Sequence, residues 1–155
     1  MFYGTGYEVL FSGIFAAFSA QALKVLFYFF AHRKLNFKIF TTTGGMPSSH
    51  TAGVIALSAS AGLVEGFNSV VFAVSMGFAI VVMQDAAGLR RAAGKTAATL
   101  NRLVKEITEQ KNEITPHVAL KELLGHTPLE VFCGAIYGIF IACLIYYLPT
   151  IMRSF

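Results

Sequence analysis

The sequence predicts an all-α fold, an integral membrane helical bundle of about four membrane-embedded helices plus a cytoplasmic amphipathic helix. One reason is composition, since 55% of the 155 residues are hydrophobic, 13% are charged and the mean hydropathy is +0.64; typical soluble domains are more polar. The other is pattern, because the apolar residues form long runs, whereas strands of a membrane barrel alternate polar and apolar residues. The length suits a single membrane domain over residues 1–155.

Four apolar runs predict the four membrane-embedded helices. The first, 9–31, and the last, 129–148, each match the roughly 20 residues that cross a bilayer. Between them lie 51–64 and 69–83, separated at 65–68 by a turn with a charge and a glycine. These two runs are short for spans and fit either a thin spanning pair or a re-entrant hairpin. In both cases their outer ends return to the same membrane face.

Basic residues predict the orientation of the chain. The loops 32–49 and 84–127 hold most of the lysines and arginines, and Arg153 stands alone on the other side. The positive-inside rule therefore places both loops in the cytoplasm and both termini on the opposite side. Topology and attraction to anionic lipid also explain most of this charge without any catalysis. The basic loop residues are Arg33, Lys34, Lys38, Arg90, Arg91, Lys95, Arg102, Lys105, Lys111 and Lys121.

The second loop contains an amphipathic pattern at helical spacing. A helix there fits a position on the membrane surface, against the bundle or at a dimer contact. A shorter helix is predicted to begin at Thr115 and Pro116 and to end at Gly125. Cys133 and Cys143 lie ten positions apart on the last helix, too far to pair there, and are expected to be free thiols. The apolar face of the amphipathic helix comprises Ala93, Ala97, Leu100, Val104 and Ile107.

Two short motifs place a histidine beside a predicted helix start at one membrane face. The first is Gly-Gly-Met-Pro-Ser-Ser-His at 44–50, directly before the second apolar run. Serine caps such a start well, and the exposed N–H groups of a first helical turn bind anions. Ordinary capping beside a surface histidine explains this motif equally well.

The second motif is Gly-His-Thr-Pro-Leu-Glu at 125–130, before the last run. Thr127 and Glu130 have capping-box spacing, with Pro128 as the first helical residue. Glu130 therefore either closes the cap or orients His126 through one ring nitrogen while the other faces a substrate. A nucleophile positioned by a carboxylate follows the logic of catalytic triads.

These motifs resemble those of the type 2 phosphatidic acid phosphatase and vanadium haloperoxidase superfamily. Pro-Ser-Ser-His is similar to its second signature, Pro-Ser-Gly-His, and His126-x-x-x-Glu130-Val131-x-x-Gly134 to the end of its third. With Asp85-Ala-Ala-Gly-Leu-Arg-Arg91, the whole pattern resembles a small divergent branch of that superfamily. The resemblance implies that His126 is the nucleophile, Glu130 its partner, and His50 the acid and then base. It also implies that Ser48 and Ser49 hold phosphate oxygens and that the chemistry needs neither metal nor cofactor.

The cations that would bind phosphate depart from the superfamily pattern. No Arg-Pro follows a lysine as in the first signature, and Ala119 and Leu120 stand where the third signature has Ser-Arg. Candidate replacements are Lys24, about two turns inside the first span, and the pair Arg90 and Arg91 after the third. Snorkelling would explain Lys24 and topology would explain the arginines. Asp85 and Lys95 are candidates for the surrounding shell.

These inferences predict a membrane phosphatase that hydrolyses a phosphomonoester or pyrophosphate of a lipid headgroup at the cytoplasmic face. Phosphatidylglycerophosphate, phosphatidic acid and an isoprenyl phosphate fit as substrates, and the resemblance favours the first. A non-catalytic membrane scaffold that kept an anion pocket is the alternative from another class. A haloperoxidase and a transporter fit the sequence less well. A homo-oligomer is compatible with Gly134-x-x-x-Gly138, which permits close helix contact within one chain or between chains.

Overall fold

The protein forms five α-helices and one π-helical turn in the part of the chain that the structure, a computed structural model, describes. That part is residues 4–34, 45–111, 120 and 125–152, with the backbone alone at 90, 91, 109–111 and 149–152. No strand occurs in it, which confirms the predicted all-α fold. The elements are α1 (Gly6–His32), α2 (Ser49–Glu65), α3 (Val70–Gln84), a π-helical turn (Asp85–Leu89), α4 (Arg90–Lys111) and α5 (Pro128–Met152).

Three helical stretches are long and apolar enough to cross a membrane: Gly6–His32, Val70–Thr108 and Pro128–Leu148. The shorter α2, with 17 residues, is the centre of the bundle and contacts α1, α3 and α5. Small residues line its length and let its neighbours approach closely, as is usual where helices pack inside a membrane. Ala52, Ala56 and Ala61 are fully buried, and Ser58 bonds across to Ser75 of α3 at 3.2 Å.

Glycines fix the contact between α2 and α5. A Cβ on Gly134 would lie 2.6 Å from the carbonyl oxygen of Ser48, and one on Gly138 would lie 2.5 Å from that of Ala52. The Gly134-x-x-x-Gly138 motif therefore serves a contact within the chain. Because residue numbers rise together along both helices, α2 and α5 run parallel and begin at the same end of the bundle.

The first helix buries one stripe of side chains spaced four residues apart, which places them on one face. Glu8, Ser12, Ala16, Ala20 and Lys24 make up the stripe, and each of them is less than 5% exposed. Packing between α1 and α2 is antiparallel, since Gly13 meets Leu57 and Ala17 meets Gly53. The C-terminal half of α1 therefore lies at the same end as the starts of α2 and α5.

The third helix passes through the π-helical turn into α4 with no break in the chain. Local insertion of a π turn inside an α-helix is often found at functional sites. Leu100, Leu103 and Ile107 of α4 are about half exposed, and Asn101 holds the backbone of Leu120 through two bonds of 2.9 Å. The predicted helix at 115–125 lies largely outside the described residues. Both cysteines are free and partly buried, as expected.

Candidate functional site

Backbone contact joins the two histidine motifs. The N–H of Ser48 donates to the carbonyl oxygen of Glu130 at 3.1 Å. Each residue stands at the start of a helix, Ser48 as the cap of α2 and Glu130 in the first turn of α5. Two segments about 80 positions apart in the sequence therefore form one surface at one end of the bundle.

The start of α2 is capped as the sequence predicts. Ser48 is fully buried, and its hydroxyl oxygen accepts from the N–H of Thr51 at 3.4 Å and from the hydroxyl of Thr51 at 3.0 Å. A serine that accepts twice still has its own hydroxyl hydrogen to donate. Ser49, the first residue of α2, is 7% exposed beside it. The N–H groups of this first turn add partial positive charge to the same place.

A single carboxylate oxygen of Glu130 makes both of the contacts that the sequence allowed. Oε2 accepts from the N–H of Thr127 at 3.2 Å, while the hydroxyl of Thr127 accepts from the N–H of Glu130 at 3.3 Å, which completes the capping box. The same Oε2 lies 2.9 Å from Nδ1 of His126, a residue 3% exposed. A carboxylate can only accept, so Nδ1 carries the hydrogen and Nε2 keeps the lone pair in the neutral ring.

The π-helical turn supports the histidine from the other side. Its Ala86 carbonyl oxygen accepts the N–H of His126 at 3.1 Å. Asp85, next to Ala86, is partly buried in the same turn, whereas Lys95 is exposed on α4. Arg90 and Arg91 begin α4, but their side chains lie outside what the structure describes. Three motifs that are far apart in the sequence therefore converge around His126.

Lys24 lies inside the bundle beside this surface. It is 4% exposed, so its ammonium group does not snorkel to the interface. No hydrogen-bond partner for its Nζ occurs among the described residues. Its side chain passes next to Gly45, where an added Cβ would stand 3.9 Å from Lys24 Cδ, and its charge interacts with that of Glu130. Burying an ammonium group is unfavourable unless an opposite charge lies near it.

The other histidine, His50, has a different environment. It lies in the first turn of α2, is exposed, and lines the end of a groove between α1 and α2 together with Gln21 and Ser49. Ser48 and Thr51, by contrast, face the first part of α5 at Gly134. His50 therefore opens toward the outside of the bundle, at the same end as the buried His126.

Comparison with known proteins places the chain in a family. The model of the divergent PAP2 family matches residues 6–141. The chain belongs to the divergent PAP2 family. It is 44% identical over 147 residues to YuiD of Bacillus subtilis (strain 168), described as an uncharacterized membrane protein, with 89% of this chain and 93% of the relative covered. No solved structure gives a significant match.

Two residues of the candidate site in this divergent PAP2 protein were not predicted from the sequence. Thr51 follows His50 directly and is fully buried against Ser48; its position three residues after the cap was the available signal. Ala86 contributes only its backbone oxygen. An alanine side chain gives no sequence signal for such a contact, so the hydrogen bond from His126 to Ala86 can be seen only in the structure.

Proposed function

We propose that this divergent PAP2 protein hydrolyses a lipid-linked phosphomonoester or pyrophosphate at the cytoplasmic face, through a phosphohistidine on His126. The observation that supports this most is the junction of the two motifs: Ser48 bonded to Glu130, and Glu130 bonded to His126. That junction places a carboxylate-oriented imidazole beside a helix start suited to an anion.

In the first step, Nε2 of His126 attacks phosphorus and the bond from phosphorus to the leaving oxygen breaks. Glu130 stabilises the positive charge that grows on the ring, because its oxygen lies 2.9 Å from Nδ1. His50 gives its proton to the leaving oxygen, which departs as the lipid alcohol or lipid monophosphate.

In the second step, His50 takes a proton from water, and the resulting hydroxide attacks the phosphoryl group. The bond between phosphorus and Nε2 breaks, phosphate leaves, and His126 returns to its neutral form. Each proton that His50 gives in the first step is recovered in the second, so one turnover consumes one water molecule.

Positive charge for the transferred group comes from Lys24 in this proposal. Its buried ammonium, the hydroxyl of Ser48, Ser49 and the first N–H groups of α2 hold phosphate oxygens. Arg90 and Arg91 begin α4 directly after the π-helical turn and add a guanidinium to the same clamp.

Asp85 and Lys95 form the surrounding shell in this proposal, with Asp85 orienting an arginine. The basic residues of the loops support a site at the cytoplasmic leaflet. Phosphatidylglycerophosphate, phosphatidic acid and an isoprenyl phosphate all present their phosphate at that depth, and the family resemblance favours the first.

Phosphate release from a panel of lipid phosphates tests the proposal. We expect purified protein to release phosphate from at least one of them, and His126→Ala to reduce release to background because the nucleophile is gone. His32→Ala is the control, since His32 is exposed and stacks on Tyr28 with ring centroids 4.2 Å apart. Equal release by wild type and His126→Ala would exclude the enzyme.

A non-catalytic scaffold with an anion pocket is the second candidate. It is favoured by the missing Arg-Pro and Ser-Arg elements and by the outward exposure of His50. The same panel separates the two functions, because a scaffold would bind vanadate at Lys24 and release no phosphate from any substrate.

A further inference from the structure

A groove of about 380 Å³ runs between α1 and α2 and ends at the candidate site. Three polar residues, Gln21, Ser49 and His50, line that end, and Leu10 and Leu57 line the far part. Almost all of the surface that faces the groove is apolar, which suits a hydrocarbon chain, and the polar residues occur only at the end beside the candidate site.

The groove has the length of one leaflet. From Gln21 to Leu10 the helix rises by about 16 Å at roughly 1.5 Å per residue. Half of a hydrocarbon core that is about 30 Å thick is close to this value. Its flank is open toward the membrane, because Leu10, Ile14 and Phe18 are 51%, 48% and 61% exposed. A lipid can therefore enter sideways from the bilayer.

Two glycines set the depth of the groove. A Cβ on Gly13 would lie 3.0 Å from the Cβ of Leu57, and one on Gly53 would lie 3.1 Å from the Cβ of Ala17. A Cβ on either glycine would also lie within 3.2 Å of the carbonyl oxygen of the other. The two helices therefore approach closely there, and the groove lies along that line of contact.

We propose that this groove holds one hydrocarbon chain of the substrate, with the ester oxygen of its phosphate at His50. The inference rests on the proposed hydrolysis and assigns its substrate to lipids whose chain is at least as long as the groove. It also explains why His50 is exposed while His126 is buried. The leaving oxygen carries the lipid, so the group that protonates it must stand where the lipid chain departs.

Chain-length selectivity tests the assignment. Protein in phosphatidylcholine nanodiscs would be assayed with butyl phosphate and dodecyl phosphate, and the ratio of their kcat/KM values measured. Ile14→Phe fills the groove about 10 Å from Gln21. We expect it to lower the dodecyl-to-butyl ratio by about tenfold, the effect of losing roughly two buried methylene contacts.

Matched variants distinguish an effect on the groove from a general effect of the larger side chain on the fold. Ile139→Phe on α5 makes the same change at a residue with nearly the same exposure, 50% against 48%, and should leave the ratio unchanged. Val54→Phe fills the groove from α2 and should reproduce the effect of Ile14→Phe. A ratio that stays constant in both groove variants, or falls equally in Ile139→Phe, overturns the assignment.

A binding measurement distinguishes a wrong assignment of the groove from a wrong proposal of hydrolysis. If wild-type protein releases phosphate from neither compound nor from any lipid phosphate of the panel, the proposed hydrolysis fails, and dodecyl phosphate with a photoreactive group at the chain end then tests the groove alone. Crosslinks concentrated near Leu10 and Leu57 and lost in Ile14→Phe support it. Crosslinks spread evenly over the membrane-facing surface, or a second copy crosslinked across the groove, overturn it.

Discussion

At the scale of single residues, Glu130 makes two contacts at the start of α5. Its Oε2 closes the capping box with Thr127 and also holds Nδ1 of His126. The capping-box spacing was legible in the sequence, and so was a carboxylate one helical turn from a histidine. The spacing did not show whether one carboxylate can contact both Thr127 and His126, because that depends on where its Oε2 atom lies.

Glu130→Gln separates the two roles. An amide oxygen can still accept from the N–H of Thr127, but it no longer stabilises a positive imidazole. We expect kcat for phosphate release to fall by about a hundredfold or more, while the free energy of unfolding falls by about 1 kcal/mol or less. Steady-state kinetics and thermal unfolding would measure both.

Thr127→Ala is the matched variant, since it removes the other half of the cap and leaves the contact between Glu130 and His126. It should lower the free energy of unfolding by about 1 kcal/mol and change kcat far less than Glu130→Gln does. Similar losses of kcat in the two variants would mean that Glu130 acts only as a cap.

At the scale of helices, the apolar runs predicted each element well. The predicted 9–31, 51–64, 69–83 and 129–148 became Gly6–His32, Ser49–Glu65, Val70–Gln84 and Pro128–Met152. The caps of α2 and α5 were predicted correctly because a cap is a local interaction of two or three residues. The continuous passage from α3 into α4 was not foreseen, because no residue around 85–89 signals a π turn. The position of α2 at the centre of the bundle was not predicted either, because it depends on packing between helices.

Gly138→Ala tests the contact between α2 and α5. The added methyl group would stand 2.5 Å from the carbonyl oxygen of Ala52, and backbone has little freedom to move away. We expect the free energy of unfolding to fall by about 1–3 kcal/mol, as in other overpacked cores. Thermal unfolding in detergent would measure the loss.

The control is Gly77→Ala on α3, where an added Cβ meets no atom within 4 Å. Alanine forms helix better than glycine, so this variant should be unchanged or more stable by up to about 1 kcal/mol. Equal destabilisation by both substitutions would show that loss of glycine flexibility, not crowding at α5, is responsible.

At the scale of the whole molecule, the fold gathers the C-terminal half of α1, the starts of α2 and α5 and the π-helical turn at one end. The sequence predicted this shared end from the number of spans, since helices that alternate direction must return to one face. It could not predict that Lys24 lies inside the bundle, because the same residue fits snorkelling until its neighbours are known.

The basic loops predict which side of the membrane each loop faces, and cysteine labelling can measure it. In a background with Cys133 and Cys143 changed to alanine, a membrane-impermeant maleimide should label Asn68→Cys in intact cells. It should label Lys34→Cys only after lysis, because we place the loop after α1 in the cytoplasm. Both positions are exposed, so accessibility reports the side of the membrane.

Labelling of Lys34→Cys in intact cells would move the site to the outer leaflet. Labelling of both positions from one side would favour the re-entrant hairpin over the spanning pair for α2 and α3.

The most direct measurement of the central claim is a search for phosphate on His126 itself. Purified protein would be mixed with a hydrolysed lipid phosphate, quenched within a turnover, digested and analysed by mass spectrometry. We expect a phosphoryl group on the peptide that contains His126, and none in His126→Ala. Rapid phosphate release with no modified His126 at any quench time, or a phosphoryl group on another residue, would contradict it.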